Sequence, residues 1–245
     1  MKWLAGLGGV VIALVALIGF AHTPSGHFLL PYLWLGGKCP VGGDMKPEAR
    51  DAVRAQVLAP AAGTVPAHAR PAMGFTLAVT TAAEITAWEA AHSLTCPQDV
   101  GTTRCENVPA NALDAAAAAY GSARQAQEVR FGFDAAGLLI SVDVHYDLTD
   151  STDAIALYQS ISDALMAAAG PVTTERGLGT VEHIDHGPLQ QDRREYDFAD
   201  YRATVTLTNQ GHGRYVLRET FQDVPKTGPV PLAGAVQPPS QTETR

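Results

Sequence analysis

The stretch Val129-Arg-Phe-Gly-Phe-Asp-Ala-Ala-Gly-Leu-Leu-Ile-Ser-Val-Asp-Val-His-Tyr-Asp147 decides the fold. In its first half Val129, Phe131 and Phe133 alternate with polar or small residues, which is the period of a strand. Asp134-Ala-Ala-Gly137 then supplies a tight turn, with glycine where a positive φ is needed. In the second half Leu138, Ile140, Val142, Val144 and Tyr146 define one face of a return strand. Ser141, Asp143, His145 and Asp147 define the other. The pattern predicts an antiparallel hairpin with one face on a core and the other in water.

Helices flank this hairpin. Upstream, Thr81 and Glu84 form a capping-box pattern that starts a helix running to about Leu94, with Ile85, Trp88 and Ala91 on its apolar face. Downstream, Asp150 or Ser151 caps a second helix whose buried stripe is Ala154, Tyr158, Ile161, Leu165 and Ala168. Gly170-Pro171 stops it. Strands follow at 193–198, 201–208 and 214–221. The middle one alternates Tyr201, Ala203, Val205 and Leu207 against Arg202, Thr204, Thr206 and Thr208, and Asn209-Gln-Gly-His-Gly213 closes a hairpin after it. A helix followed by antiparallel strands therefore occurs twice. The expected fold is α+β: a single antiparallel sheet of about five strands with two helices on one face, spanning residues 74–224.

Gly74-Phe-Thr-Leu77 leading into Thr80-Thr-Ala-Ala-Glu84, and Leu165 to Ala169-Gly170-Pro171 closing the second helix, carry a resemblance of order and pattern. In these features the chain resembles the tandem helix-then-sheet repeats of the β-lactamase-inhibitor-protein-like fold. That group includes the small outer-membrane assembly lipoproteins of the SmpA/OmlA type. The resemblance implies a binding role in the cell envelope and transfers no functional residue. The lipidated cysteine of those lipoproteins has no counterpart here.

The chain begins with a different kind of segment. After Lys2, Trp3 to Phe20 holds no charged residue, and the next lysine or arginine is Lys38. Roughly 18 residues at about 1.5 Å rise make a rod of about 27 Å, close to the ~30 Å hydrocarbon core of a bilayer. The lone cation orients Met1 inward and the rest outward. Residues 1–21 are thus a transmembrane anchor or, with Gly19 and Ala21 as small residues at a cut, a cleavable signal. The first reading expects a single-pass inner-membrane protein with its domain in the periplasm or outside the cell. The second expects a secreted or periplasmic protein.

Residues 22–73 read as a juxtamembrane patch and a linker rich in Ala, Pro and Gly. Phe28 to Leu35, with Tyr32 and Trp34, suits either a membrane interface or packing on the domain. A short helix is expected from Pro47 to Leu58, with proline in the first turn. Residues 225–245 hold five prolines and no aromatic residue, the composition of a disordered tail.

A net charge of -8 argues against nucleic acid as a partner, since phosphate binding rests on clustered Lys and Arg. Of three cysteines, Cys96 and Cys105 are expected to close a small disulfide loop in an exported domain, a bond contributing roughly 2–3 kcal/mol; two free thiols are the alternative. Cys39 follows Lys38 and lies too far from the apolar run for lipidation. It remains a free thiol or an intermolecular link.

Two histidine groups are candidates for chemistry. Glu182-His183-Ile-Asp185-His186 offers ligands that Zn²⁺ accepts, but it lies between glycine-containing turns and reads as a loop without a rigid frame. Asp143, His145 and Asp147 share a strand face where a carboxylate could orient an imidazole, yet no Gly-x-Ser-x-Gly elbow accompanies them. His92 has a sufficient role at a helix C-terminus. Phosphate loops, Cys-x-x-Cys pairs and dinucleotide fingerprints are absent from the sequence. No catalytic residue, metal ligand or cofactor is therefore assigned.

The expected role is a membrane-anchored envelope module binding a protein partner, through the disulfide loop or the polar strand face of Arg202, Thr204, Thr206 and Thr208. The alternative is an exported hydrolase or metal-dependent enzyme using Asp143 and His145, or His183 and His186. With a cleaved leader, a secreted inhibitor is a third possibility.

Overall fold

The computed structural model of the 245-residue chain describes residues 46–113 and 124–225. The expectations for the leader, the aromatic patch, Cys39 and the tail beyond Pro225 lie outside the described residues. Among those described, no helix is long and apolar enough to cross a membrane.

The fold is α+β, built on one antiparallel sheet. The strands are β1 (Gln98–Asp99), β2 (Thr102–Val108), β3 (Ala126–Phe133), β4 (Leu139–Leu148), β5 (Thr174–Arg176), β6 (Gln191–Asp197), β7 (Tyr201–Gly211) and β8 (Arg214–Asp223). Their order across the sheet is β1-β2-β3-β4-β8-β7-β6-β5. Two four-stranded meanders thus meet where β4 pairs with β8. The expected five strands are corrected to eight. The additional ones are β1, which follows Cys96, β2, which carries Cys105, and the three-residue edge strand β5. In β2 the inward positions are Thr103, Cys105 and Val108 rather than large aliphatics, so its alternation is faint in the sequence.

Four α-helices are described: α1 (Pro47–Leu58), α2 (Ala82–Ala91), α3 (Ser151–Ala169) and α4 (Val181–Ile184). The capping box of α2 forms as its sequence requires: Glu84 N–H donates to Thr81 Oγ1, and Thr81 N–H donates to Glu84 Oε2. Asp150 caps α3 by accepting from Asp153 N–H. Ile85 of α2 and the stripe of α3 join one apolar cluster with Phe131, Val142, Val144, Tyr201, Val205 and Leu217, so both helices cover the same sheet face. Each such side chain contributes about 1.5–3 kcal/mol on burial. Two stripe assignments are corrected. Ala91 is exposed and Glu89 takes the buried position on α2, and Ala169 rather than Ala168 closes the stripe of α3.

The β3–β4 hairpin forms as expected, with one correction. Pairing shifts from Gly132–Ser141 to Phe133–Leu139, which leaves Ile140 as the extra residue of a bulge. Leu139 consequently faces the core, and Ile140 turns away from it.

The stretch read as linker contributes to the packing. Leu58, Ala72 and Met73 are buried. Helix α1 lies across the ends of strands: Arg50 donates to Val100 O, Asp51 accepts from Ala135 N–H, and Arg54 donates to Asp223 O. Asp223 also receives Arg70 Nη2 at 2.6 Å. Farther along, Gly63 N–H donates to Phe198 O and Tyr201 Oη donates to Pro71 O.

Candidate functional site

With α2 and α3 on one face, the other face of the sheet presents rows of polar side chains. Cross-strand register aligns Arg104, Arg130, Asp143, Thr220, Thr204 and Glu195 from β2 to β6. The next row runs Glu106, Glu128, His145, Arg218, Thr206 and Arg193. Side chains two apart on a strand share a face, so the predicted binding residues Arg202, Thr204, Thr206 and Thr208 all lie here, on β7. All four are half-buried.

This face is charged in both signs and largely self-paired. Arg202 reaches Glu195 and Asp197, each at 2.8 Å. Arg104 contacts Glu106 at 3.0 Å, and Arg130 contacts Glu128 at 2.5 Å. Burial raises the Asp197 carboxyl despite its arginine neighbours. Gln191 donates to Thr208 Oγ1, whereas Thr204 and Thr206 lie between these ion pairs. At the β2 edge, beside the cysteine hairpin, a cleft of about 500 Å³ is lined by Pro97, Gln98, Asp99, Thr102, Arg104 and Arg130.

The first enzymatic candidate falls on the same face. His145 Nε2 lies 3.3 Å from Asp143 Oδ1. Asp143 also accepts two hydrogen bonds from Arg218 and one from Thr220 Oγ1. Burial would raise its carboxyl, but Arg218 and His145 outweigh burial and hold it at about 2. An anion so fully engaged is a structural counter-ion for Arg218 more than an orienting base for a reaction. Neither Asp143 nor His145 lines the clefts at the β1–β2 turn or beneath α1.

The second candidate is reorganised. The stretch read as a loop contains α4, a single turn that Thr180 caps by accepting from His183 N–H. His183 Nε2 faces Asp192 Oδ1 at 3.5 Å, whereas His186 is exposed and Asp185 accepts from Tyr215 Oη. Asp192 is fully buried and also accepts from Gly179 N–H at 3.0 Å. Among the described residues, the one set of three potential ligands with mutually close donor atoms is Glu89, Cys96 and Cys105. Neither histidine pair belongs to it. The two cysteines form a disulfide, as expected.

Sequence reasoning passed over two buried carboxyls. Glu219 is 0 % exposed on the core face of β8, and burial pushes it up to about 8 against a hydrogen bond with Tyr146. Glu89 is buried on α2. A signal existed for each: Glu219 falls in register with Leu217 and Phe221, and Glu89 lies one helical turn after Ile85. Comparison with protein-family models, with curated proteins and with solved structures gave no match.

Proposed function

We propose that this domain is a non-catalytic binding module of the cell envelope, held at the inner membrane by its N-terminal apolar segment. It meets a protein partner through the open face of its sheet. The observation that carries this reading is the one-sidedness of the fold. Two helices bury one face, while the opposite face offers rows of threonines and paired charges on a rigid frame. Mixed signs on that face suit a protein surface better than a polyanion. The Cys96–Cys105 bond is in keeping with an oxidising compartment.

The test has two arms. A reporter enzyme active only outside the cytosol, fused behind Pro225, is expected to be active. A photo-cross-linking residue at Thr206 is expected to give a discrete adduct in intact cells, and the same residue at Ala167, exposed on α3, none. A silent reporter removes the envelope setting. Absence of any adduct from Thr204, Thr206 and Thr208 removes the sheet face as the binding surface.

A further inference from the structure

Cys105 lies on β2 with no exposed surface, and Cys96, just before β1, is partly exposed. Helix α2 supplies Glu89, only 8 % exposed, with a carboxylate oxygen within 4.8 Å of both sulfurs. Glu89 Oε1 has no hydrogen-bond partner among the described residues. The polar groups near it on α2 are engaged elsewhere: Trp88 Nε1 donates to Ala112 O, and His92 Nδ1 lies 2.8 Å from Trp88 O. Burying a carboxylate oxygen without a partner is costly, and packing alone gives no reason to keep one there. Chemistry at the adjacent sulfurs does.

We propose that Cys96–Cys105 is a redox-active disulfide that exchanges with an external dithiol, and that Glu89 carries the proton for its buried sulfur. In the forward step a thiolate of the dithiol attacks the more accessible Cys96 Sγ. A new S–S bond forms as the Cys96–Cys105 bond breaks, and Cys105 Sγ leaves with the electron pair. A bare thiolate in that apolar site is unfavourable, so Cys105 Sγ takes the Glu89 proton and becomes a thiol. The second thiolate of the dithiol then attacks its own sulfur in the mixed disulfide. Cys96 leaves as a thiolate and gains a proton from water, and Glu89 is reprotonated from solvent. The domain gains two electrons and ends as a dithiol; the donor, oxidised by the same two electrons, ends as a disulfide. Burial raises the Glu89 carboxyl above its ordinary value.

The experiment uses the full chain carrying Cys39→Ser, with dithiothreitol as the probe and alkylation mass shifts counting thiols. Without denaturant, the disulfide is expected to open at least as fast as in the same chain unfolded in urea. Glu89→Gln, which cannot give up a proton, should slow opening in the folded protein at least about tenfold, the low end for a lost general acid. Glu89→Asp should recover part of that rate. The melting temperature of oxidised Glu89→Gln should be unchanged or higher, which separates proton delivery from mere packing. The proposal is overturned if Glu89→Gln opens at the parental rate. It is equally overturned if the parental disulfide opens ten times more slowly folded than unfolded, a readout that does not depend on the variant folding.

Discussion

Glu219 enters the apolar face of β8 between Leu217 and Phe221, opposite Val144 of β4 and Val205 of β7. Its carboxyl stays protonated in the folded protein up to about 8, against 4.5 when free. Between those values the unfolded chain releases a proton that the folded chain keeps, so stability falls as pH rises from about 4.5 towards 8. Over that interval the loss amounts to roughly 4 kcal/mol at one full unit per 1.36 kcal/mol. Glu219→Gln should flatten this limb, measured as urea stability at pH 5 and pH 8. Equal pH slopes in parent and variant would show that Glu219 does not carry the dependence. Asp143 acts with the opposite sign. Its carboxyl is held at about 2, so the stability it supplies is present above 3.8 and disappears as pH falls towards 2. Asp143→Asn should therefore remove part of the acid-side loss and leave the alkaline limb unchanged. The sequence placed Asp143 on a polar face because its neighbours alternate cleanly. Glu219 escaped notice because a carboxylate is expected in water, and only its register betrays it.

Among the elements, α1 and the segment after it show how far local pattern can be read. The helix Pro47–Leu58 has the bounds its proline and apolar residues suggest. That the following Ala- and Pro-rich residues pack on the sheet is poorly legible, because several of their contacts run through backbone groups that leave no side-chain signature. Gly63 is the clearest instance. Its N–H donates to Phe198 O, and a Cβ placed there would sit 2.2 Å from Asp197 O. Backbone cannot yield as a flexible side chain can. Gly63→Ala should cost roughly 1–3 kcal/mol in chemical denaturation, the usual range for overpacking a tight site. Gly187→Ala, where an added Cβ meets nothing within 4 Å, is the matched control and should be close to neutral. The misread strands have equally local causes. The bulge at Ile140 moves the inward role to Leu139 without any change in the hydrophobic run. The polar strands β1 and β5 are formed by pairing with a neighbour, which local sequence does not encode.

At the scale of the whole molecule, the repeated helix-then-strands order was readable, but the joining of the two halves was not. Each half is a four-stranded meander, and they meet at one antiparallel seam from Ser141–Gln222 to Leu148–Tyr215. The seam is held differently on its two faces. On the open face Arg218 and Asp143 bridge β8 and β4, but the arginine side chain is half exposed, so this pair contributes little. On the core face Val142, Val144 and Tyr146 meet Phe221, Glu219 and Leu217 with no exposure above 2 %. Apolar contact across the seam therefore couples the halves, and α3 reinforces it by packing on β4, β8 and β7. The expected consequence is one cooperative unfolding transition. Trp88 reports on the first half and is the one tryptophan among the described residues. With Trp3 and Trp34 replaced by Phe, its fluorescence midpoint in urea should coincide with that of far-ultraviolet circular dichroism. Val144→Ala, a cavity opened at the seam, should lower both midpoints together, by an amount equivalent to about 2 kcal/mol of unfolding free energy. Two separated midpoints, or a Val144→Ala shift confined to one probe, would mean that the halves fold independently and that the seam only places them side by side.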